Sequence, residues 1–125
     1  MKENEKLKVL IVDNEPGILM PLEFLMRKSG YEVYIACNGT EAMESIDKEL
    51  PQVVVLDLMM PDVDGYEVCR YLRRKKEMGQ AKVIIISAKT KEEDMQKAYA
   101  AGADMYLPKP FSTRQLVEKV KELVA

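Results

Sequence analysis

Four runs of apolar residues each end at a residue whose side chain carries a charge or a hydroxyl group. The runs LKVLIV, VVVL, VIII and MYLP lead to Asp13, Asp57, Ser87 and Lys109. Unbroken β-branched runs are typical of strands that are buried on both faces of a parallel sheet. The carboxyl ends of strands in open α/β sheets form one crevice where ligands bind, so we expect these four side chains to lie there.

Strands of this kind alternate with helices along the chain. The predicted strands are Leu7–Val12, Tyr31–Ala36, Val53–Asp57, Lys82–Ser87 and Asp104–Leu107. Three of the five predicted helices begin with a capping box, formed by Asp64 with Glu67, Thr90 with Glu93, and Ser112 with Gln115. Strict alternation with short connections predicts right-handed crossovers and helices on both faces of a parallel sheet.

The second predicted strand alternates polar and apolar residues more than the others, as an edge strand does. We therefore predict the α/β class, with a doubly wound (βα)5 fold whose five-stranded parallel sheet has the order 2-1-3-4-5. The point where the strand order reverses then lies between the strands that end at Asp13 and Asp57. Because no repeat or linker interrupts the pattern, we predict one domain over residues 1–125.

The charge balance narrows the range of partners. Lys and Arg number 19 against 21 Asp and Glu, so the net charge does not favour nucleic acid or an anionic membrane surface. We interpret a cationic run near the end of the third helix as a solvated complement to the helix dipole; it consists of Arg70, Arg73, Arg74, Lys75 and Lys76. We expect no direct binding of nucleic acid by this chain.

Other features of composition exclude several kinds of chemistry. The absence of histidine excludes His-based acid–base catalysis and a phosphohistidine on this chain. Cys37 and Cys69 fit neither a disulfide framework nor a CxxC motif, and we expect both thiols to fill the core. No apolar stretch is long enough to span a bilayer, and the MKENEKLK start lacks the apolar core of a signal peptide. A cytoplasmic protein without membrane contact is expected.

Four segments, IVDNEPG, VVVLDLMMPDVDGYEV, VIIISAKT and GADMYLPKPF, together resemble the receiver domains of two-component response regulators, the CheY-like family. The resemblance covers essentially the whole chain and implies a flavodoxin-like, CheY-like fold. It implies that Asp57 is the phosphoacceptor and that Ser87 and Lys109 contact the phosphoryl oxygens. Mg²⁺ would be held by Asp13, Asp57 and the Met59 backbone carbonyl. A cis peptide bond between Lys109 and Pro110 is also implied.

The resemblance further implies what the domain does and which proteins it meets. A histidine kinase or phosphotransfer protein would donate the phosphoryl group, and a downstream protein or output domain would receive the signal. The domain would not be an enzyme beyond self-directed phosphotransfer and autodephosphorylation. Ser87 and Tyr106 would form the switch, with Tyr106 turning inward to change the face of helix four, strand five and helix five. A monomer or a weak phosphorylation-dependent dimer is expected.

Elementary chemistry agrees with these roles. An Asp carboxylate can attack phosphorus, but clustered carboxylates repel one another until a hard cation bridges them. Phosphoryl transfer needs positioning and charge neutralisation more than covalent help, and Lys109 and Mg²⁺ would supply the neutralisation. No general base is required.

One position departs from the family pattern. Receivers usually have two acidic residues after the first strand, and this chain has Asp13 followed by Asn14. The carbonyl oxygen of Asn suits Mg²⁺ but carries no charge, so weaker metal binding is expected. Glu15 either supplies the missing carboxylate or is a first-turn residue favoured by the helix dipole. The alternative function is a degenerate receiver that binds a partner protein without being phosphorylated.

Overall fold

A parallel sheet of five strands forms the centre of the molecule, as predicted. The computed structural model describes residues 6–125. The first five residues of the MKENEKLK start, on which the predicted absence of a signal peptide rests, lie outside the described residues. The strands are β1 (Lys8–Val12), β2 (Glu32–Ala36), β3 (Val53–Asp57), β4 (Lys82–Ser87) and β5 (Met105–Pro108). Their order is β2-β1-β3-β4-β5, which confirms β2 as an edge strand.

Five α-helices connect and cover these strands. They are α1 (Pro16–Lys28), α2 (Gly39–Glu49), α3 (Gly65–Arg73), α4 (Glu92–Ala100) and α5 (Thr113–Val124). Helices α1 and α5 pack on one face of the sheet, and α2, α3 and α4 pack on the other. Strand residues alternate between the two faces, because successive side chains of a strand point in opposite directions. Within residues 6–125, no helix has the length and apolar content needed to cross a membrane.

Two of the three predicted capping residues are confirmed. The Asp64 carboxylate accepts a hydrogen bond from the Glu67 N–H, and the Ser112 hydroxyl accepts one from the Gln115 N–H, each at 2.9 Å. These caps were predictable because both partners lie within one helical turn.

The predicted cap at Thr90 is wrong. Helix α4 begins at Glu92, with Lys91 as its N-cap residue and without a side-chain hydrogen bond to the helix end. The helix dipole is stabilised instead by an acidic first turn, which comprises Glu92, Glu93 and Asp94. Of its residues only Ala98 is buried, so α4 is held less firmly than the other helices.

The two cysteines differ in their surroundings. Cys69 is fully buried on α3, as expected, and burial raises its pKa to about 11. The prediction that Cys37 fills the core is wrong, because this side chain is exposed. Cys37 directly follows the edge strand β2, where the chain leaves the sheet and the core ends.

The interpretation of the cationic run as merely solvated is wrong at Arg73. Its guanidinium donates hydrogen bonds to the Gly102 carbonyl at 2.9 Å, the Ala81 carbonyl at 2.8 Å and the Asp104 carboxylate at 2.9 Å. The same Asp104 oxygen accepts from the Val83 N–H at 2.8 Å. Arg73 therefore joins α3 to the segments that begin β4 and β5, at the end of the sheet opposite the carboxyl edge.

Candidate functional site

The carboxyl edge of the sheet collects the polar side chains that the sequence places at strand ends. Val12 of β1 pairs with Leu56 of β3, so the residues that follow each of them, Asp13 and Asp57, come next to one another. Ser87 ends β4 on the other side of β3. Among the described residues, the buried polar side chains are those of Asp13, Asp57 and Ser87.

Lys109 extends from the end of β5 into this group. Its Nζ lies 3.1 Å from Asp13 Oδ2, 2.9 Å from Glu15 Oε1 and 3.6 Å from Asp57 Oδ2. The backbone N–H of Lys109 donates to the Ser87 carbonyl at 2.7 Å, which fixes the start of its side chain relative to β4. The peptide bond between Lys109 and Pro110 is cis, as expected. The ammonium group thus lies among three carboxylates.

Glu15 is the third member of the acidic group. Asp13, Glu15 and Asp57 each place a carboxylate oxygen within 4.8 Å of the others. Glu15 immediately precedes α1, and its side chain makes no capping hydrogen bond to that helix. Its backbone N–H instead donates to Asp13 Oδ1 at 2.9 Å, while its carboxylate binds Lys109. Three carboxylates against one ammonium leave an excess of negative charge at the site.

Asn14 is exposed. Its side chain lines a cleft of about 440 Å³ between the loops that follow β3 and β4, together with Met59 and Lys89. The Met59 backbone N–H donates to Asp57 Oδ1 at 3.3 Å, so the loop after β3 folds back over the carboxylate.

The charges at the site perturb one another. Burial raises the pKa of Asp57, and the charge of Asp13 raises it further, while Lys109 acts in the opposite direction. Burial alone would lower the pKa of Lys109, but its hydrogen bond to Glu15 and the neighbouring carboxylates outweigh burial and raise it. Lys109 is therefore cationic at physiological pH, and Asp57 lies where a further positive charge is favourable.

One buried oxygen has no hydrogen-bond donor among the described residues. Asp13 Oδ2 lies at ion-pair distance from Lys109 Nζ, but the geometry is not that of a hydrogen bond. A buried carboxylate oxygen that accepts no hydrogen bond, next to two more carboxylates, belongs to the kind of oxygen donor set that hard cations such as Mg²⁺ prefer. The residues present therefore fit a divalent cation.

Ser87 and Tyr106 form hydrogen bonds with the backbone N–H and carbonyl of the same residue, Lys89. Ser87 Oγ accepts from the Lys89 N–H at 3.0 Å, and the Tyr106 hydroxyl donates to the Lys89 carbonyl at 2.8 Å. Tyr106 is only 8% exposed and packs in the cluster beneath α2, α3 and α4. The Tyr106 ring therefore lies inward in this structure. The loop after β4 is consequently held by both residues that the sequence assigned to the switch.

Sequence reasoning missed one residue close to this site. Asp62, in the loop after β3, accepts hydrogen bonds from the N-terminus of α2, including two from Thr40. These partners are 22 residues apart, and no local pattern joins them.

Comparison with known proteins identifies the class. A family model described as the response regulator receiver domain matches residues 9–121. The chain belongs to this family, whose members are signalling switches that accept a phosphoryl group and bind Mg²⁺ through acidic residues.

Solved structures agree with this assignment. A CheY-like response regulator receiver domain protein from Methanospirillum hungatei is 30% identical, with a TM-score of 0.88, and the match covers 94% of this chain and 93% of that one. The BeF3-activated receiver domain of DrrB from Thermotoga maritima is 31% identical, with a TM-score of 0.85 and coverage of 96% and 98%. Chemotaxis protein CheY4 of Vibrio cholerae is 28% identical, with a TM-score of 0.89 and coverage of 95% and 99%.

Proposed function

We propose that this chain is a phosphorylatable receiver in which Asp57 accepts a phosphoryl group from a phosphohistidine on a histidine kinase or phosphotransfer protein. The observation that carries the proposal is the convergence of Asp13, Glu15 and Asp57 around the Lys109 ammonium. A structural ion pair needs one carboxylate for one ammonium, whereas this group holds two buried carboxylates and an exposed one against a single ammonium. Such an arrangement costs stability unless a cation or a transferring group uses it.

The residues have distinct tasks in the transfer. An Asp57 oxygen attacks the phosphorus, and the new O–P bond forms as the N–P bond of the donor histidine breaks. Lys109 lies 3.6 Å from Asp57 and neutralises negative charge that develops on the phosphoryl oxygens. The Met59 N–H orients the carboxylate through its hydrogen bond to Oδ1. The Ser87 hydroxyl contacts a phosphoryl oxygen after its hydrogen bond from the Lys89 N–H has broken.

The metal would be held by Asp13, Asp57, the Met59 carbonyl and Glu15. Mg²⁺ supplies charge neutralisation and a template for the phosphoryl oxygens when it is bound. Glu15 is favoured over Asn14 as the additional ligand because its carboxylate belongs to the acidic group and hard cations prefer charged oxygen ligands. The charge that Asn14 lacks is thereby supplied one residue later.

The output follows from the loop after β4. Movement of the Ser87 hydroxyl toward a phosphoryl group breaks its bond to the Lys89 N–H, and Tyr106 binds the carbonyl of that same residue. Helix α4 follows this loop and buries little of its surface, so its position changes at low cost. A downstream protein or output domain then distinguishes the two forms of the face made by α4, β5 and α5.

Incubation with acetyl phosphate and Mg²⁺, followed by intact mass measurement, tests the proposal. The wild type should gain one phosphoryl group, and Asp57→Ala should gain none. Asp47→Ala is the matched control, because Asp47 pairs with Lys75 on the surface, and it should label like the wild type. Label that persists in Asp57→Ala contradicts the assignment. A wild type that never gains mass favours the alternative of a binding module that is not phosphorylated.

A further inference from the structure

We propose that Asp62 is a positioning residue for the phosphoacceptor site. We call the segment from Leu58 to Asp64, which follows β3, the acceptor loop. The Asp62 carboxylate joins this loop to the N-terminus of α2 and thereby holds the Met59 backbone beside Asp57. The inference rests on the proposed function, since Met59 belongs to the metal site described there.

Three hydrogen bonds make this connection. Asp62 Oδ1 accepts from the Gly39 N–H at 2.9 Å, and Oδ2 accepts from the Thr40 N–H at 2.9 Å and from the Thr40 hydroxyl at 2.6 Å. Gly39 and Thr40 are the first two residues of α2. Their N–H groups have no partners within the helix, and the positive end of the helix dipole favours a carboxylate there.

The same contacts keep Asp62 ionised. The Thr40 hydroxyl is the largest cause, followed by the Thr40 N–H, and together with the Gly39 N–H they hold the pKa of Asp62 well below its usual range. The side chain is exposed, so its effect comes from the directed hydrogen bonds more than from a buried charge.

Helix α2 has a second cap that does not involve the acceptor loop. Asn38 Oδ1 accepts from the Glu41 N–H at 2.9 Å, and the Asn38 carbonyl accepts from the Ala42 N–H at 3.0 Å. Asp62 and Asn38 therefore share the free N–H groups of one helix end. Loss of either side chain weakens α2, but only the loss of Asp62 also releases the acceptor loop.

The acceptor loop and α2 approach one another closely. A Cβ atom on Gly39 would lie 2.5 Å from the Val63 carbonyl oxygen and 2.6 Å from the Val63 Cβ, so a side chain there would push the two segments apart. At the other side of the loop, the Gly65 N–H donates to the Leu58 carbonyl at 2.9 Å. The residues between these two attachments include Met59, whose own bond to Asp57 is long at 3.3 Å.

The expected consequence is weaker binding of the metal. Residues that orient a ligand without touching the metal contribute roughly 10- to 100-fold to metal affinity. The Met59 carbonyl is one neutral ligand among carboxylates, so we expect Asp62→Ala to raise the Kd for Mg²⁺ by about tenfold, near the lower end of that range.

Titration of Mg²⁺ into the metal-free protein, followed by calorimetry, tests this inference. Asp62→Ala should show the loss of affinity. Asn38→Ala should lower the Tm by a similar amount but keep the wild-type Kd, because it removes a cap from the same helix without touching the acceptor loop. Glu44→Gln should also keep the wild-type Kd; it removes an exposed carboxylate from α2 and controls for the loss of charge.

Equal Kd values in Asp62→Ala and the wild type would overturn the inference. A loss in Asn38→Ala as large as that in Asp62→Ala would also overturn it, since the effect would then be one of helix stability. Should Asp62→Ala fail to fold, Thr40→Val is the second variant, because it removes one of the three hydrogen bonds to Asp62. It should raise the Kd for Mg²⁺ about threefold. An unchanged Kd in Thr40→Val would overturn the inference. A wild type that binds no Mg²⁺ would refute this inference and the proposed metal site together.

Discussion

Replacement of Lys109 by Ala tests whether the carboxylates of the site need a nearby cation for the folded state to be stable. The variant leaves Asp13, which is fully buried, and Asp57, which is nearly so, without the nearby ammonium. Removal of one partner from a buried ion pair costs about 3–5 kcal/mol. The side chain of Lys109 is 14% exposed, and its bond to the exposed Glu15 contributes under about 1 kcal/mol. We therefore expect a loss of about 3 kcal/mol in the free energy of unfolding at neutral pH without metal.

The pH dependence of this loss has a definite sign. The pKa of Asp57 is raised in the folded wild type by burial and by Asp13, and Lys109 partly offsets the rise. Without Lys109 the folded-state pKa rises further above its unfolded value. The folded state then binds the proton more tightly, so the penalty is complete above the folded pKa and shrinks as the pH falls through it. The difference in stability between wild type and variant should decrease toward acid pH.

Urea unfolding in EDTA, repeated across this pH range and again with Mg²⁺, measures both effects. Mg²⁺ replaces the missing positive charge and should narrow the gap between the two proteins. Lys119→Ala is the control, because Lys119 forms an exposed pair with Glu122 at 3.6 Å and should change stability by less than about 1 kcal/mol. Equal urea midpoints for Lys109→Ala and wild type, or a gap that does not depend on pH, would refute the reasoning.

Two further predictions follow from ion pairs that the structure reveals. Glu15→Gln should weaken Mg²⁺ binding about tenfold or more, because it neutralises one of three clustered carboxylates. Asn14→Ala should weaken Mg²⁺ binding less. A larger loss of affinity in Asn14→Ala than in Glu15→Gln, measured by Mg²⁺ titration, would assign the ligand to Asn14. Arg73→Ala should lower the free energy of unfolding by about 2–3 kcal/mol, because the Gly102 carbonyl and two other acceptors lose their donor. Urea unfolding measures this change. Arg74 is an exposed neighbour, and Arg74→Ala should keep the free energy of unfolding within about 0.5 kcal/mol of wild type. Equal losses in the two variants would show that the hydrogen bonds of Arg73 contribute nothing to stability.

The sequence alone determined the sheet and the place of the site. Apolar runs and short connections predict parallel strands, and parallel strands bring their carboxyl ends to one edge whatever the details of packing. This is why Asp13, Asp57 and Lys109 lie together in the structure, and why Ser87 ends the strand beside β3. The cap at Ser112 was equally predictable, since its partner is three residues away.

Local patterns failed where contacts between distant segments compete with them. The Thr90 capping box does not form, and the loop that contains it is held instead at Lys89 by Ser87 and by Tyr106, which is 17 residues away. Whether Cys37 is buried depends on where the core ends beside an edge strand, and the residue type does not determine this.

Only the tertiary structure decided which charged side chains meet. Glu15 binds Lys109 across 94 residues, Asp62 binds Thr40 across 22, and Arg73 binds Asp104 across 31. The sequence left two interpretations of Glu15 open, because a carboxylate before a helix can face either the helix end or the crevice. The choice depends on the position of the Lys109 ammonium, which the folding of β5 against β4 determines. Hydrophobic periodicity places the backbone, whereas side-chain partners across loops depend on distances that exist only after the elements have packed.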